Sequence, residues 1–333
     1  MKKQNIVVVG ATGIVGRTLV RILEERRFPV DRLILVAGRR SVGKELPFRG
    51  ENAGVAGLSE DVFDGADLAF FCAGGDVSGE WIPRVRERCR LVVDLSSVFR
   101  MVPDVPLVVP EVNGGDIGAF GSNVIANPNC STVPLVMVLK PLHETFTVRR
   151  VTVSTYQAVS GAGQEGIDQL ERELRGGETG PMKFPHPIAD NCLPHVDVFL
   201  EDGYTKEEHK VINEVRKILH DDSIRVAPTC VRVPVRNCHS ESVNIEFENP
   251  VSLGEVRELL ASSPGVVVRD DPGRGLYPLA RIASGKDEVF VGRLRSDPSV
   301  EHGIALWIVS DNLRKGAGTN AVQIAEHWME RDR

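Results

Sequence analysis

The chain has no excess of positive charge: 40 Lys and Arg stand against 46 Asp and Glu, a formal net charge of −6 at pH 7. That balance argues against a general nucleic-acid binder or a protein of anionic membrane surfaces. No apolar run approaches the roughly 20 residues that cross a bilayer. The opening MKKQNIVVVG pairs two lysines with a short apolar run, but GATGIVGR interrupts it, so no secretory leader is read and the chain is expected in the cytoplasm. Cysteines are few: Cys72, Cys89, Cys130, Cys192, Cys230 and Cys238, with no Cys-x-x-Cys pair and no disulfide-framework spacing. Cys192 and His195 have a Cys-x2-His spacing, yet no second ligand pair accompanies them, so no metal site is expected. Internal repeats and low-complexity linkers are also missing.

What is present fits an ordinary globular chain. Its 333 residues suffice for two domains with substantial cores. NIVVVG (5–10) reads as a buried strand and IVGRTLVRILEERRF (14–28) as an amphipathic helix, with Ile14, Leu19, Ile22 and Leu23 on its apolar side. Between them run Gly10, Ala11, Thr12, Gly13, Ile14, Val15 and Gly16, a GxxGxxG spacing. Strand, glycine turn and helix in that order suit a dinucleotide, whose pyrophosphate meets the unpaired N–H groups of the helix start. A purely structural turn is the other reading.

A second strand near Leu33 to Ala37 ends in Gly38, Arg39, Arg40 and Ser41. NAD sites place an acidic residue at this strand end for the ribose 2′-hydroxyl; arginine suits a 2′-phosphate, so NADP(H) is expected. The same arginines also read as a solvated turn. ADLAFFCAGG (66–75), LVVDLSSVFR (91–100) and VIANPNC (124–130) repeat the strand-then-loop pattern. A mostly parallel sheet follows, with ligands at the carboxyl ends of its strands, which is where Cys130 falls.

From residue 146 the pattern shifts to long β-rich segments, IRVAPTCVRVPVR, ESVNIEFE and HGIALWIVSD, with helical stretches at 163–176 and 205–220. Strands with helices to one side describe an α+β second domain. The last segment, 318–331, is amphipathic and is expected to pack back on the first domain. In TKEEHK, Thr205 and Glu208 form a capping-box pattern, which sets Glu207 and Lys210 on one face at i,i+3.

GATGIVG, FFCAGG, SSVFRMVPDVPLVVPEVN, NPNCST, TYQAVSGAG, CVRVPVRNCHSESVNIEF and DNLRKGAGTNAVQIAE occur in that order nearly end to end, and in them the chain resembles the aspartate-β-semialdehyde dehydrogenase family. The resemblance implies an α/β protein. A Rossmann-type NADP-binding domain would comprise 1–130 with 312–333, and an α+β substrate-binding and dimerisation domain 131–311. It further implies NADPH-dependent reduction of β-aspartyl phosphate to aspartate semialdehyde and phosphate, on the route to lysine, methionine and threonine, in a homodimer or homotetramer.

Site roles carry over position by position. Cys130 matches the thiol nucleophile, and it begins the helix read in CSTVPLVMVLKPLHE, whose positive end favours a thiolate; Pro134 suits that first turn. On the residues alone, a buried structural cysteine is an equal reading. His239 matches the general acid–base and Gln157 the group that orients the acyl oxygen; on the residues alone a structural histidine after a strand is the commoner reading, and Gln157 reads as a polar residue at a strand end. Arg232, seven residues before His239, matches the holder of the α-carboxylate, for which a guanidinium fork is suited; an outward-facing arginine on a half-exposed strand is the alternative. Glu207 matches the ligand of the substrate amino group. Lys210, Arg100 and Asn129 match the phosphate ligands, and a surface ion pair is the plain alternative for Glu207 and Lys210. Beside Gly10 to Gly16, Arg39, Arg40 and Ser41, the cofactor side takes in Cys72, Ala73, Gly74, Ser160, Gly161, Gly163 and Asn312. The chain departs from the family at AGRRSVGK, where many members read ASERSAGK; Gly38 removes a hydroxyl and Arg39 adds a charge.

Three rivals are weaker on sequence. N-acetyl-γ-glutamyl-phosphate reductases carry Asn-Pro-Gly-Cys-Tyr-Pro-Thr where this chain has Asn-Pro-Asn-Cys-Ser-Thr. A non-catalytic paralogue would have lost the thiol or its partner, and a short-chain dehydrogenase would show Tyr-x-x-x-Lys near residue 156.

Overall fold

The structure is a computed structural model that describes residues 2–177 and 180–331. It divides into two compact units, Met1–Pro128 with Ala317–Arg333 and Asn129–Gly316. The sequence-based divisions stood at residues 130 and 311, so Asn129, Cys130 and Asn312 all fall inside the second unit.

The first unit holds strands β1 (Gln4–Val9), β2 (Val30–Ala37), β3 (Glu45–Phe48), β4 (Glu51–Gly57), β5 (Leu68–Phe71), β6 (Leu91–Asp94) and β7 (Val124–Ala126). They form one sheet in the order β3-β4-β2-β1-β5-β6-β7. Only β3, against β4, is antiparallel. β1 is Ile-Val rich and buried on both faces, as a central parallel strand must be. After β1 the chain moves to β2 on one side and later to β5 on the other, which makes the β1–β5 boundary the topological switch point where such sheets take ligands.

The helix Ile14–Glu25 sends Leu19, Ile22 and Leu23 into a core shared with Ala321, Val322, Ile324, Ala325 and Met329 of the C-terminal helix Thr319–Arg331. The last residues of the chain thus complete the first unit. The first helix stops at Glu25, short of the expected Phe28, because Arg27 turns left-handed at φ 51°.

The second unit holds β8 (Val148–Gln157), β9 (Arg225–Arg232), β10 (His239–Phe247), β11 (Val266–Val268), β12 (Val289–Ser296) and β13 (Gly303–Ser310), in the order β11-β12-β13-β10-β8-β9. Burial alternates along β10, so one face of this mixed sheet is covered and the other is not. Register places Gln157 beside Arg232, and Glu241, Thr155 and Cys230 in one row, on the covered face. On the uncovered face Tyr156 and Trp307 meet with ring centroids 5.3 Å apart.

The helix Lys206–Leu219 packs against β9 and against the helix Thr132–Phe146. Its start is the capping box legible in the sequence: Glu208 N–H donates to Thr205 Oγ1 at 3.3 Å and Thr205 N–H to Glu208 Oε2 at 2.7 Å. The other oxygen, Glu208 Oε1, accepts Cys230 N–H at 2.9 Å, which occupies a donor on the sheet's edge strand. Thr205→Ala removes one cap and is expected to cost about 1 kcal/mol. Glu208→Ala strips two buried N–H groups of their acceptor, so its loss is expected at about 3 kcal/mol or more; urea midpoints of the two variants check the order.

Candidate active site

The Pro-Asn-Cys turn is held from three directions. Asn129 Oδ1 accepts Ser131 N–H at 2.9 Å, and Asn129 O accepts Val133 N–H at 3.0 Å, which starts the helix Thr132–Phe146 with Ser131 at its N-cap. The helix expected to begin at Cys130 therefore begins two residues later, and the thiol sits just outside the first turn. Asn129 Nδ2 donates to Glu207 Oε1 at 2.9 Å, and Asn129 N–H donates to Glu214 Oε2 at 2.7 Å.

Cys130 Sγ lies 3.2 Å from His239 Nε2, the first residue of β10. The other ring nitrogen, Nδ1, accepts Ala158 N–H at 3.0 Å. A nitrogen that accepts a hydrogen bond holds no proton, so the neutral ring carries its proton on Nε2, facing the sulfur. Burial, and next the Arg232 charge, hold the His239 pKa well below the ordinary histidine value. Arg232 Nη1 donates to Ala158 O at 2.7 Å, so it lies on the covered face and not outward. A Cβ at Gly161 would stand 2.9 Å from Arg232 Nη1 and 3.1 Å from His239 Cε1, so only glycine lets that loop approach both.

Glu207 is buried and fully engaged. Its Oε1 also accepts Gln157 Nε2 at 3.2 Å, and its Oε2 pairs with Lys210 at 3.0 Å. Burial opposes its charge, but Lys210, Asn129 and Arg232 prevail and hold its pKa below the ordinary glutamate value. Lys210 is likewise lifted above its ordinary value despite burial, by Glu207 and by Asp197, whose Oδ2 it meets at 2.6 Å. The Glu207–Lys210 pair thus joins a buried carboxylate to a half-buried ammonium and is not a solvated surface pair. Ser160 Oγ accepts Asn312 Nδ2 at 3.0 Å, and Asn312 Oδ1 accepts Cys238 N–H at 2.9 Å, which ties the Ser160–Gly163 loop to the Asn312 segment. So the second unit brings together Asn129, Cys130, Gln157, Ser160, Gly161, Glu207, Lys210, Arg232, His239 and Asn312, with Gly163 opening the helix Gln164–Leu174 at φ 85°.

The remaining expected residues lie in the first unit. Gly10 (φ 83°) ends β1, and a Cβ there would stand 2.8 Å from Ala73 N, so the turn after β1 and the Cys72, Ala73, Gly74 turn after β5 abut at the switch point. Thr12 Oγ1 donates to Ser41 Oγ at 3.4 Å, and Arg39 and Arg40 stand exposed in a short 3-10 turn after β2. Gly13 is the N-cap of the helix that continues through Ile14, Val15 and Gly16. Arg100 Nε donates to Asn127 O at 3.0 Å.

Residues 5–119 match the family model for the semialdehyde dehydrogenase NAD binding domain, and residues 139–315 the one for the semialdehyde dehydrogenase dimerisation domain. The aspartate-semialdehyde dehydrogenase of Aquifex aeolicus is 53% identical over 328 residues, 96% of each chain. That of Campylobacter jejuni is 45% identical over 99% of this chain and 98% of its own. The chain belongs to the aspartate-semialdehyde dehydrogenase family. Among solved structures, aspartate semialdehyde dehydrogenase II of Vibrio cholerae complexed with ASA matches at TM-score 0.95 and 44% identity over 99% of both chains. The Candida albicans enzyme with NADP matches at TM-score 0.77 and 26% identity, also over 99% of both.

As an aspartate-semialdehyde dehydrogenase family enzyme, the chain sets its thiols apart by environment. Burial pushes Cys89 up to about 12 and drives Cys72, Cys230 and Cys238 higher, whereas Cys130 faces an imidazole N–H. Cys192 is exposed, and His195 stacks on Phe199 with ring centroids 4.4 Å apart. Sequence reading missed Asp197, Glu214, Ala158 and Glu241. The first two are acidic residues whose partners lie 13 and 85 positions away, beyond any helical or strand spacing, and Ala158 acts through its backbone alone. Glu241, buried two residues past His239, finds no hydrogen-bond partner among the described residues, and burial raises its pKa well above the ordinary glutamate value.

Gly161→Ala is expected to push Arg232 and His239 aside and lower turnover about 10²-fold, as steady-state kinetics on folded protein will read. Because the folded His239 pKa is depressed, its neutral burial supports stability above the unfolded value, about 6.5, and loses that support as pH falls toward the folded value. The stability difference between wild type and His239→Gln, from urea midpoints between pH 5 and 8, is expected to shift against wild type below pH ~6.5.

Proposed function

We propose that the chain catalyses the reversible NADPH-dependent conversion of L-aspartyl-4-phosphate to L-aspartate 4-semialdehyde and phosphate, through a thioester on Cys130, in the formation of lysine, methionine and threonine. The observation that carries this reading is the Cys130 Sγ to His239 Nε2 contact of 3.2 Å, with the ring turned by Ala158 N–H.

In this reading the Cys130 thiolate attacks the acyl carbon, the C–O bond to phosphate breaks, and a thioester remains on the sulfur. A bound nicotinamide supplies hydride chemistry. Collapse of the resulting thiohemiacetal releases the aldehyde and returns the sulfur as thiolate. His239 Nε2–H and the Arg232 charge steady the sulfur's negative charge before attack and on departure. To act also as proton acceptor, the imidazole must give up the Ala158 hydrogen bond, since an imidazolium carries a proton on both nitrogens. Arg232 takes the α-carboxylate, Glu207 the amino group, and Gln157 the acyl oxygen; Lys210 and Asn129 take phosphate, and the resemblance adds Arg100 to the phosphate ligands.

The abutting turns at Gly10 and Cys72–Gly74 fit a dinucleotide, with Ile14, Val15 and Gly16 offering helix N–H groups to its pyrophosphate beside Thr12 and Gly13, the N–H of Gly13 being spent on Gly10 O. Arg39, Arg40 and Ser41 follow β2, at the strand end where dinucleotide domains read the ribose 2′ group, and the charge of the two arginines supports NADP over NAD; the Candida albicans relative was solved with NADP. The resemblance adds Ser160, Gly161, Gly163 and Asn312 to the cofactor contacts. The uncovered face of the second sheet, in the region that matches the dimerisation domain, is the proposed surface of a homodimer or a homotetramer built from it. Six free cysteines suit a reducing cytoplasm.

The test is reduction of NADP with L-aspartate semialdehyde plus phosphate, beside N-acetylglutamate semialdehyde and the Cys130→Ala variant. Phosphate-dependent turnover of the aspartyl aldehyde alone, lost in the variant, is the expected result; turnover of only the acetylated aldehyde overturns it. Replacing Arg39 and Arg40 by Ala is expected to raise the KM for NADP about tenfold while leaving that for NAD nearly unchanged, since a charge-assisted hydrogen bond is worth about 1.5–3 kcal/mol.

A further inference from the structure

Glu207, Lys210 and Glu214 lie at i, i+3 and i+7 of the helix Lys206–Leu219 and so share one face. Glu214 is 1% exposed, on a stripe otherwise formed by Val211, Val215 and Ile218. A carboxylate in such surroundings must be hydrogen-bonded, and Glu214 Oε2 accepts the Asn129 main-chain N–H at 2.7 Å. That N–H belongs to neither helix nor strand. It lies in the peptide unit next to the one that ends at the Cys130 Cα, and the bonds from Ser131 N–H to Asn129 Oδ1 and from Val133 N–H to Asn129 O limit the two torsions between them, so a displacement of it is passed toward the thiol.

We propose that Glu214 is a positioning residue for the nucleophile: through the Asn129 N–H it sets where Cys130 stands, and thereby how fast the sulfur reacts. The proposal rests on the reading of Cys130 as the nucleophile. It also separates two duties on one helix. Glu207 shares an oxygen between Asn129 Nδ2 and Gln157 and is the group a substrate ammonium would recruit. Glu214, two turns further on, holds the same asparagine by its backbone and keeps the turn anchored when Glu207 is drawn to a ligand.

The experiment compares Glu214→Ala and Glu214→Gln in a Cys192→Ser background, which removes the exposed thiol. Iodoacetamide alkylation of Cys130, located by peptide mass, is followed against pH beside kcat and KM. Glu214→Met fills the volume without an acceptor and stands in if the alanine variant unfolds. In folded Glu214→Ala, kcat and the alkylation rate are expected to fall about 10²-fold, as a misplacement near 1 Å would cause, with KM within about threefold. Glu214→Gln, whose amide oxygen still accepts the N–H, is expected within about fivefold of wild type. A folded acceptor-less variant that alkylates and turns over like wild type overturns the proposal, as does equal impairment of the Gln and Ala variants or an effect on KM alone. If wild type alkylates at Cys130 but turns over no semialdehyde, the proposed function fails, while the alkylation series still decides the role of Glu214.

Discussion

A carboxylate withdrawn from water must have its oxygens hydrogen-bonded or lose several kcal/mol, and the second unit meets that constraint three times on a single helix. Glu207, Glu208 and Glu214 are all buried on Lys206–Leu219, and each aims at least one oxygen at a group outside the helix. Glu208 reaches the edge strand at Cys230, Glu207 reaches Asn129, Gln157 and Lys210, and Glu214 reaches the Asn129 backbone. The helix therefore fixes the thiol's turn, the end of β8 and the rim of β9 against one another. What resembles a polar surface helix in sequence is an interior bracket.

The charge inventory on the covered face follows from the same constraint. β10 carries His239 and Glu241, and burial favours the neutral form of both. Arg232 is a cation whose charge acts on the sulfur's partner, with Ala158 O accepting one of its N–H groups and Phe184 beneath its guanidinium at 5.7 Å from the ring centroid. A neutral imidazole next to a fixed cation stabilises negative charge on sulfur without setting a second full positive charge beside Arg232.

Much of this was legible in the sequence because it is local. Period-2 and period-3.6 patterns gave the strands and helices, the Thr205–Glu208 spacing gave a capping box that forms in full, and i,i+3 spacing gave the Glu207–Lys210 pair. The family motifs singled out the thiol and the residues now seen around it, though their roles rest on resemblance. The helix start beside Cys130 was misjudged by two residues because Asn129 closes an extra turn with Ser131 before the helix begins. Asp197 and Glu214 were invisible for a different reason: a single acidic residue reads as solvated until the fold shows what lies against it. No spacing rule links Asn129 with Glu214, 85 positions apart.

Ala158 adds a point about how such a site tolerates change. Its N–H orients the imidazole and its carbonyl holds the guanidinium, so two of the most demanding contacts belong to the main chain. No encoded residue deletes the carbonyl, and only proline, whose fixed φ matches the −62° found here, deletes the N–H. A conventional alanine scan would pass over this position without registering it, and sequence drift there would be limited by the room around the methyl group and not by hydrogen bonding. Proline probes the N–H, and chemistry that alters the peptide itself, such as replacing an amide with an ester, probes the rest of what that residue contributes.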